Sequence, residues 1–187
     1  MEKILLTALT LILILLYHPL NRKKTKRRFS VWIDRVIPLV PITIWPYLLF
    51  IPYLIFCAVL LWLTPIFIPY ILTFILTSGL SVLIWAVIPN GVTRPKLSRV
   101  TSLSMRLLKY VYTHDGDSNG FPSAHVSYTI VSTHYLAQVL PHHAILLWCI
   151  ATIISISTVT TKQHYVLDLI GGLTLAILTI TVVERFF

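Results

Sequence analysis

Six long apolar stretches dominate this chain and leave few folds open to it. They cover residues 4–20, 47–64, 66–88, 123–140, 144–161 and 164–183. A helix needs roughly 20 apolar residues to cross the hydrocarbon core of a bilayer. Inside that core every backbone polar group must be satisfied within the chain. The expected fold is therefore all-α: a polytopic membrane protein built as a bundle of six transmembrane helices. Composition closes off the soluble alternative. Of 187 residues, 57% are hydrophobic and only 11% charged, against about 25% charged in an ordinary soluble domain. A soluble protein of this size cannot hide so much apolar surface. The first stretch has no small-residue cleavage site, and its basic cluster follows the apolar run, so an uncleaved helix is expected. Cys57 and Cys149 lie inside apolar runs and read as packing residues. No Cys/His spacing resembles a zinc site.

The segments between the runs carry the charge. The formal net charge is +9, and most of the basic residues sit in two clusters. One holds Arg22, Lys23, Lys24, Lys26, Arg27, Arg28 and Arg35; the other holds Arg94, Lys96, Arg99, Arg106 and Lys109. Near-continuous apolar sequence argues against nucleic acid as the partner of that charge. Residues 21–35 read as a basic connector, and residues 36–46, with three prolines, as re-entrant or interfacial. Residues 89–122 form a polar region. Within it, 97–112 have apolar residues at helical spacing with basic residues between them, which marks an amphipathic interfacial helix. Residues 113–120 are a loop by composition. The whole chain, 1–187, is expected to be one membrane-embedded domain. Two spans separate the connector from the polar region, and two more separate that region from Lys162 and His164. All three therefore lie on one face of the membrane.

Three patches on that face carry chemistry. Arg94, beside Pro95, presents a fork of donors that suits a phosphate or carboxylate. Residues 121–125 read Phe-Pro-Ser-Ala-His. Ser123 is a natural N-cap, the first helical turn is an anion site, and His125 lies within that turn. His164 and Asp168 stand at i and i+4, on one face of a helix. A carboxylate at the edge of an apolar span is a functional candidate. Accepting from one ring nitrogen, it leaves the other free to attack. Gly171 and Gly172 allow close packing beneath the site.

Together these patches resemble the type-2 phosphatidic acid phosphatase superfamily, membrane relatives of the vanadate haloperoxidases. Its motifs are Lys-x6-Arg-Pro, Pro-Ser-x-His and Ser-Arg-x5-His-x3-Asp. Arg94-Pro95 fits the end of the first, Pro122-Ser-Ala-His125 the second, and Ser157, His164 and Asp168 the third. Val87 stands at the first-motif Lys position, and Thr158 at the third-motif Arg position. The stretch from Thr161 to Asp168 also resembles a branch that includes inositol phosphorylceramide synthases, which transfer a phospho-headgroup.

The resemblance implies catalysis by His164 as nucleophile, Asp168 as its orienting partner and His125 as general acid and base. It implies phosphate binding by Arg94, Ser123, the Ala124 N–H and Ser157, with Lys162 restoring a missing charge. No metal or other cofactor is implied. The substrate would be an amphiphilic phosphate such as phosphatidic acid, phosphatidylglycerophosphate, a polyprenyl diphosphate or the lipid A phosphate. Two other readings stand beside the phosphatase: a headgroup transferase on the same fold, and a small transporter or structural membrane protein. A proton relay would extend across the bilayer, whereas these titratable groups stop near one face. The expected location is a bacterial cytoplasmic membrane. The charge bias puts the site face in the cytoplasm, and the resemblance allows the outer face. His18, His134, His142 and His143 read as structural, and His114, Asp115, Asp117 and Asn119 as loop-shaping residues. Asp115 and Asp117 are a weak pattern for a divalent cation. Oligomeric state is left open.

Overall fold

A computed structural model describes residues 1–23 and 25–187; Lys24, in the first basic cluster, lies outside the described residues. Helices α1 (Glu2–Leu15) and α2 (Tyr17–Asn21) meet at Leu16, which keeps a helical conformation, so they form one apolar rod. After the connector come the single turn α3 (Ile33–Val36) and a 3-10 turn at Pro41–Thr43. These lead into α4 (Ile44–Leu48) and α5 (Phe50–Trp62). The remaining helices are α6 (Phe67–Val87), α7 (Leu103–His114), α8 (Ala124–Val139), α9 (Ala144–Thr160) and α10 (Val166–Glu184).

Five helical segments are long and apolar enough to cross a membrane: Glu2–Asn21, Pro41–Trp62, Phe67–Val87, Pro141–Thr160 and Val166–Glu184. The second begins at Pro41, so residues 41–46, expected to be re-entrant or interfacial, instead continue into the apolar helix. Proline at the first turn lacks only an N–H that would have no helical partner there. Helix α8 differs from the five. It has 16 residues, about 24 Å of rise against roughly 30 Å of hydrocarbon.

That shorter helix is the centre of the bundle and packs on α5, α6, α9 and α10. Ser127, Thr129, Ser132 and Thr133 on α8 are fully buried. Hydroxyl pairs tie it to its neighbours: Tyr53–Thr133 at 2.7 Å, Tyr70–Ser132 at 3.3 Å and Thr73–Tyr135 at 2.7 Å. Between apolar helices such bonds contribute about 0.6 kcal/mol each on average. They account for part of the polar sequence of α8, most of whose side chains face protein. At the far end, His134 lies 2.7 Å from Glu184 and Gln138 donates to Glu184.

Helix α7 starts at Leu103, six residues later than its apolar pattern predicts. Ser102 caps it by accepting from the Met105 N–H. The preceding segment has other partners: Val92 N–H donates to the Asp117 carbonyl and Thr93 N–H to the Tyr165 hydroxyl. Leu108 is fully buried against Ile44 and Tyr47, which seats α7 on α4. The connector is tied down as well. Thr25 donates to the Pro89 carbonyl, Gly91 N–H donates to the Arg27 carbonyl, and Phe29 packs edge-on against Phe121.

Candidate active site

The site assembles around the N-terminus of α10. Tyr165 is the N-cap and Asp168 the third helical residue, so His164 precedes the helix instead of opening it. The pairing survives this shift. His164 Nδ1 lies 3.5 Å from Asp168 Oδ2, a contact longer than a good hydrogen bond. Asp168 is fully buried and His164 is 8% exposed. The carboxylate also accepts the Tyr165 N–H at 2.8 Å and the Asn90 side-chain amide at 3.3 Å. A second carboxylate comes from the connector. Asp34 accepts from the Val166 N–H at 2.8 Å and from the Val31 N–H at 2.7 Å. Two acidic groups at this helix N-terminus complement its dipole.

Asn90 joins all three patches. Its carbonyl accepts the Gly120 N–H, its side-chain oxygen accepts the Phe121 N–H, and its amide donates to Asp168. Ser123 caps α8 by accepting from Val126, and its own N–H donates to the Asp168 carbonyl at 3.0 Å. A Cβ on Gly172 would lie 2.6 Å from the Ser123 carbonyl oxygen. Only glycine lets the start of α8 approach α10 this closely.

Arg94 forms the roof of a polar pocket with His164, Gln163, Asp115, Asn119, Tyr17 and Asn21 among its walls. Its guanidinium donates to the carbonyls of Tyr112, Asp115 and Gly116 and to Gln163 Oε1 at 2.6 Å. It also lies 3.7 Å from the Asp115 carboxylate. Burial pushes the Asp115 carboxyl above its ordinary range, while the Arg94 charge pulls it back. Asn21 and Tyr17 both donate to Asp115 Oδ1. Four buried polar atoms of this pocket have no hydrogen-bond partner among the described residues: Arg94 Nε, Gln163 Nε2, His164 Nδ1 and Asn119 Oδ1. The space between them is narrow, with room for about one water molecule.

His125 lies on the other side. Its ring is sandwiched between Tyr47 and Phe50, with centroids at 4.4 and 4.0 Å, and sits 6.0 Å from the His164 ring. It faces an apolar cleft of about 290 Å³ walled by Ile14, Leu48, Phe50, Ile51, Trp85 and Tyr128. Tyr17, Tyr47 and Asp115 line both this cleft and the polar pocket.

The remaining predicted residues are placed differently. Lys162 occupies a left-handed backbone conformation (φ 55°). Its ammonium donates to the carbonyls of Asp34 and Ile37, and burial lowers its pKa. It lines a second cleft that also touches His164. Ser157 is buried, with its hydroxyl donating to Ile154 of its own helix. Asn90, Asn21, Asp34 and Gln163 did not emerge from the sequence. Asn90 and Gln163 lay inside the patches; Asp34 and Asn21 had no spacing to mark them. Among the described residues, no three of His, Cys, Asp and Glu form a metal-ligand set.

The fold is that of a multi-pass membrane protein, with the motif residues His125, His164 and Asp168 gathered at one end of its bundle. The sequence model of the PAP2 superfamily matches residues 68–187, well over half the chain. The protein belongs to this family, the type-2 phosphatidic acid phosphatases of the sequence motifs. Membership supports a phosphatase-type function toward lipid phosphates. No match was found among curated proteins or solved structures.

Proposed function

We propose that the protein removes phosphate from a membrane lipid phosphate or polyprenyl diphosphate through a phosphohistidine, without a metal. The observation that carries this reading is the shared wall between the polar pocket of His164 and the apolar cleft of His125. An amphiphile can place its hydrocarbon in the second and its phosphoryl group in the first, whose narrow walls part to admit it. Asp168 faces Nδ1 of His164, which leaves Nε2 to attack phosphorus. The bond from phosphorus to the lipid oxygen breaks, and His125 in its protonated form gives that oxygen a proton. His125 then takes a proton from water as the water attacks phosphorus, releasing phosphate and restoring His164. Arg94, Ser123 and the Ala124 N–H hold the phosphoryl oxygens. Lys162 and Ser157 belong to this set by motif position, with Lys162 reaching the anion from the second cleft.

In this reading α8 is the sixth crossing, α7 lies at the membrane interface, and the site faces one side of a bacterial cytoplasmic membrane. A second reading, transfer of a phospho-headgroup to an alcohol, draws on the cleft of Lys162, Thr93 and Tyr165, which is also lined by His164. It offers an acceptor a place where water would otherwise react. Purified protein in detergent, given a panel of lipid phosphates with chelator and no acceptor, tests the two. Phosphate release is expected. Turnover only with added alcohol supports the transferase, and release that depends on a divalent metal contradicts the mechanism.

A further inference from the structure

We propose that Gln163 is a phosphoryl-binding residue that takes over, as a neutral donor, part of the work of the arginine absent at Thr158. The inference rests on the phosphoryl-transfer reading of the site. Thr158 itself cannot reach a phosphoryl group. It is fully buried, and its hydroxyl donates to the Ser155 carbonyl of its own helix. Its backbone carbonyl instead accepts the N–H groups of Gln163 and His164, which fixes both residues in one turn. Gln163 is 5% exposed. The direction of its amide is set by Arg94. A guanidinium has only donors, so the atom 2.6 Å from Arg94 Nη2 is the amide oxygen. The amide nitrogen is thereby the other terminus, buried and without a partner. Arg94 Nε is likewise a buried donor without a partner.

Both residues line the pocket of His164. Unpaired buried donors are unfavourable unless a ligand accepts from them. Two such N–H groups beside a nucleophilic histidine fit two oxygens of a phosphoryl group, whose arrival parts the narrow walls. The pair carries one positive charge in place of the two that Arg94 and an arginine at 158 would supply.

The test is inorganic phosphate binding to the full-length protein in detergent, by calorimetry at pH 8, with thermal stability measured in parallel. Gln163→Glu keeps the oxygen that holds Arg94 but replaces the donor with an anion. It is expected to retain its Tm and lose phosphate affinity by about tenfold to a hundredfold, the range for a hydrogen bond to a charged group. Gln163→Ala is expected to lose about tenfold as well. Wild-type affinity in either variant overturns the proposal, as does a wild-type protein that binds no phosphate. Loss in Gln163→Ala with retention in Gln163→Glu also overturns it, because holding Arg94 would then be the whole role. Wild-type protein that binds phosphate through Gln163 yet releases none from lipid phosphates leaves this inference standing and removes the hydrolase reading.

Discussion

Residues 68–187 match the PAP2 superfamily and residues 1–67 do not, yet both build the site. The matched part supplies Arg94, Ser123, His125, His164 and Asp168. The other part supplies a share of the walls: Tyr17 and Asn21 on the polar pocket, Tyr47 on both cavities, Phe50 against the His125 ring, and Asp34 on the N-terminus of α10. The division teaches that the motif residues lie in one part of the chain while their surroundings draw on both. In the proposed mechanism, in-line chemistry at phosphorus ties the first set to fixed residue types at fixed spacing. Packing around a ring or a hydrocarbon chain accepts many side chains, so the second set carries no motif.

Variants can break this division, and the largest effect belongs to the matched part. His164→Ala is expected to abolish phosphate release while the protein stays folded, since no other group takes over the nucleophile's role. Release comparable to wild type would assign the chemistry elsewhere. Asp34→Ala should act on stability. It leaves the Val166 and Val31 N–H groups without their carboxylate, a loss of about 1–3 kcal/mol, read as a lower Tm in detergent. An unchanged Tm would make the connector dispensable to α10.

Leu48→Trp narrows the apolar cleft without touching the polar pocket. Displacing two methylenes at about 0.8 kcal/mol each amounts to roughly tenfold in KM for a long-chain lipid phosphate. A short, water-soluble phosphate ester should keep its KM; equal effects on both would detach the cleft from the substrate.

The smallest effect concerns Asp115. Because its carboxyl is raised, the folded state holds that proton more tightly than the unfolded chain. Its contribution to stability is full below the ordinary carboxylate pKa of about 3.9 and fades as pH rises through the raised value. Asp115→Asn should flatten that portion of a Tm-against-pH curve, and an unaltered slope would show that another group is responsible.

The sequence made the apolar helices and the motif residues legible because each rests on a local pattern. Apolar runs mark spans directly, and His164 and Asp168 declare themselves by spacing. The start of α10 was less visible. Its N-cap is Tyr165, outside the small polar residues that usually signal a helix start, so His164 reads as helical when it is not. The partly polar α8 was less plain, since several of its hydroxyls find their partners on other helices. Asn21 shows the deeper limit. It meets Asp115 across 94 positions of chain, and no local spacing encodes such a contact. Gln163 was hidden in plain view, since its role depends on which end of its amide Arg94 captures.

The central claim is that His164, in a pocket walled by both parts of the chain, forms a covalent bond to phosphorus. Rapid quenching with lipid phosphate labelled at phosphorus tests this most directly. The account predicts acid-labile label on the wild-type protein, located at His164 by fragmentation and missing from His164→Ala. Turnover with no protein-bound label at any quench time, or label that persists in His164→Ala, would contradict it.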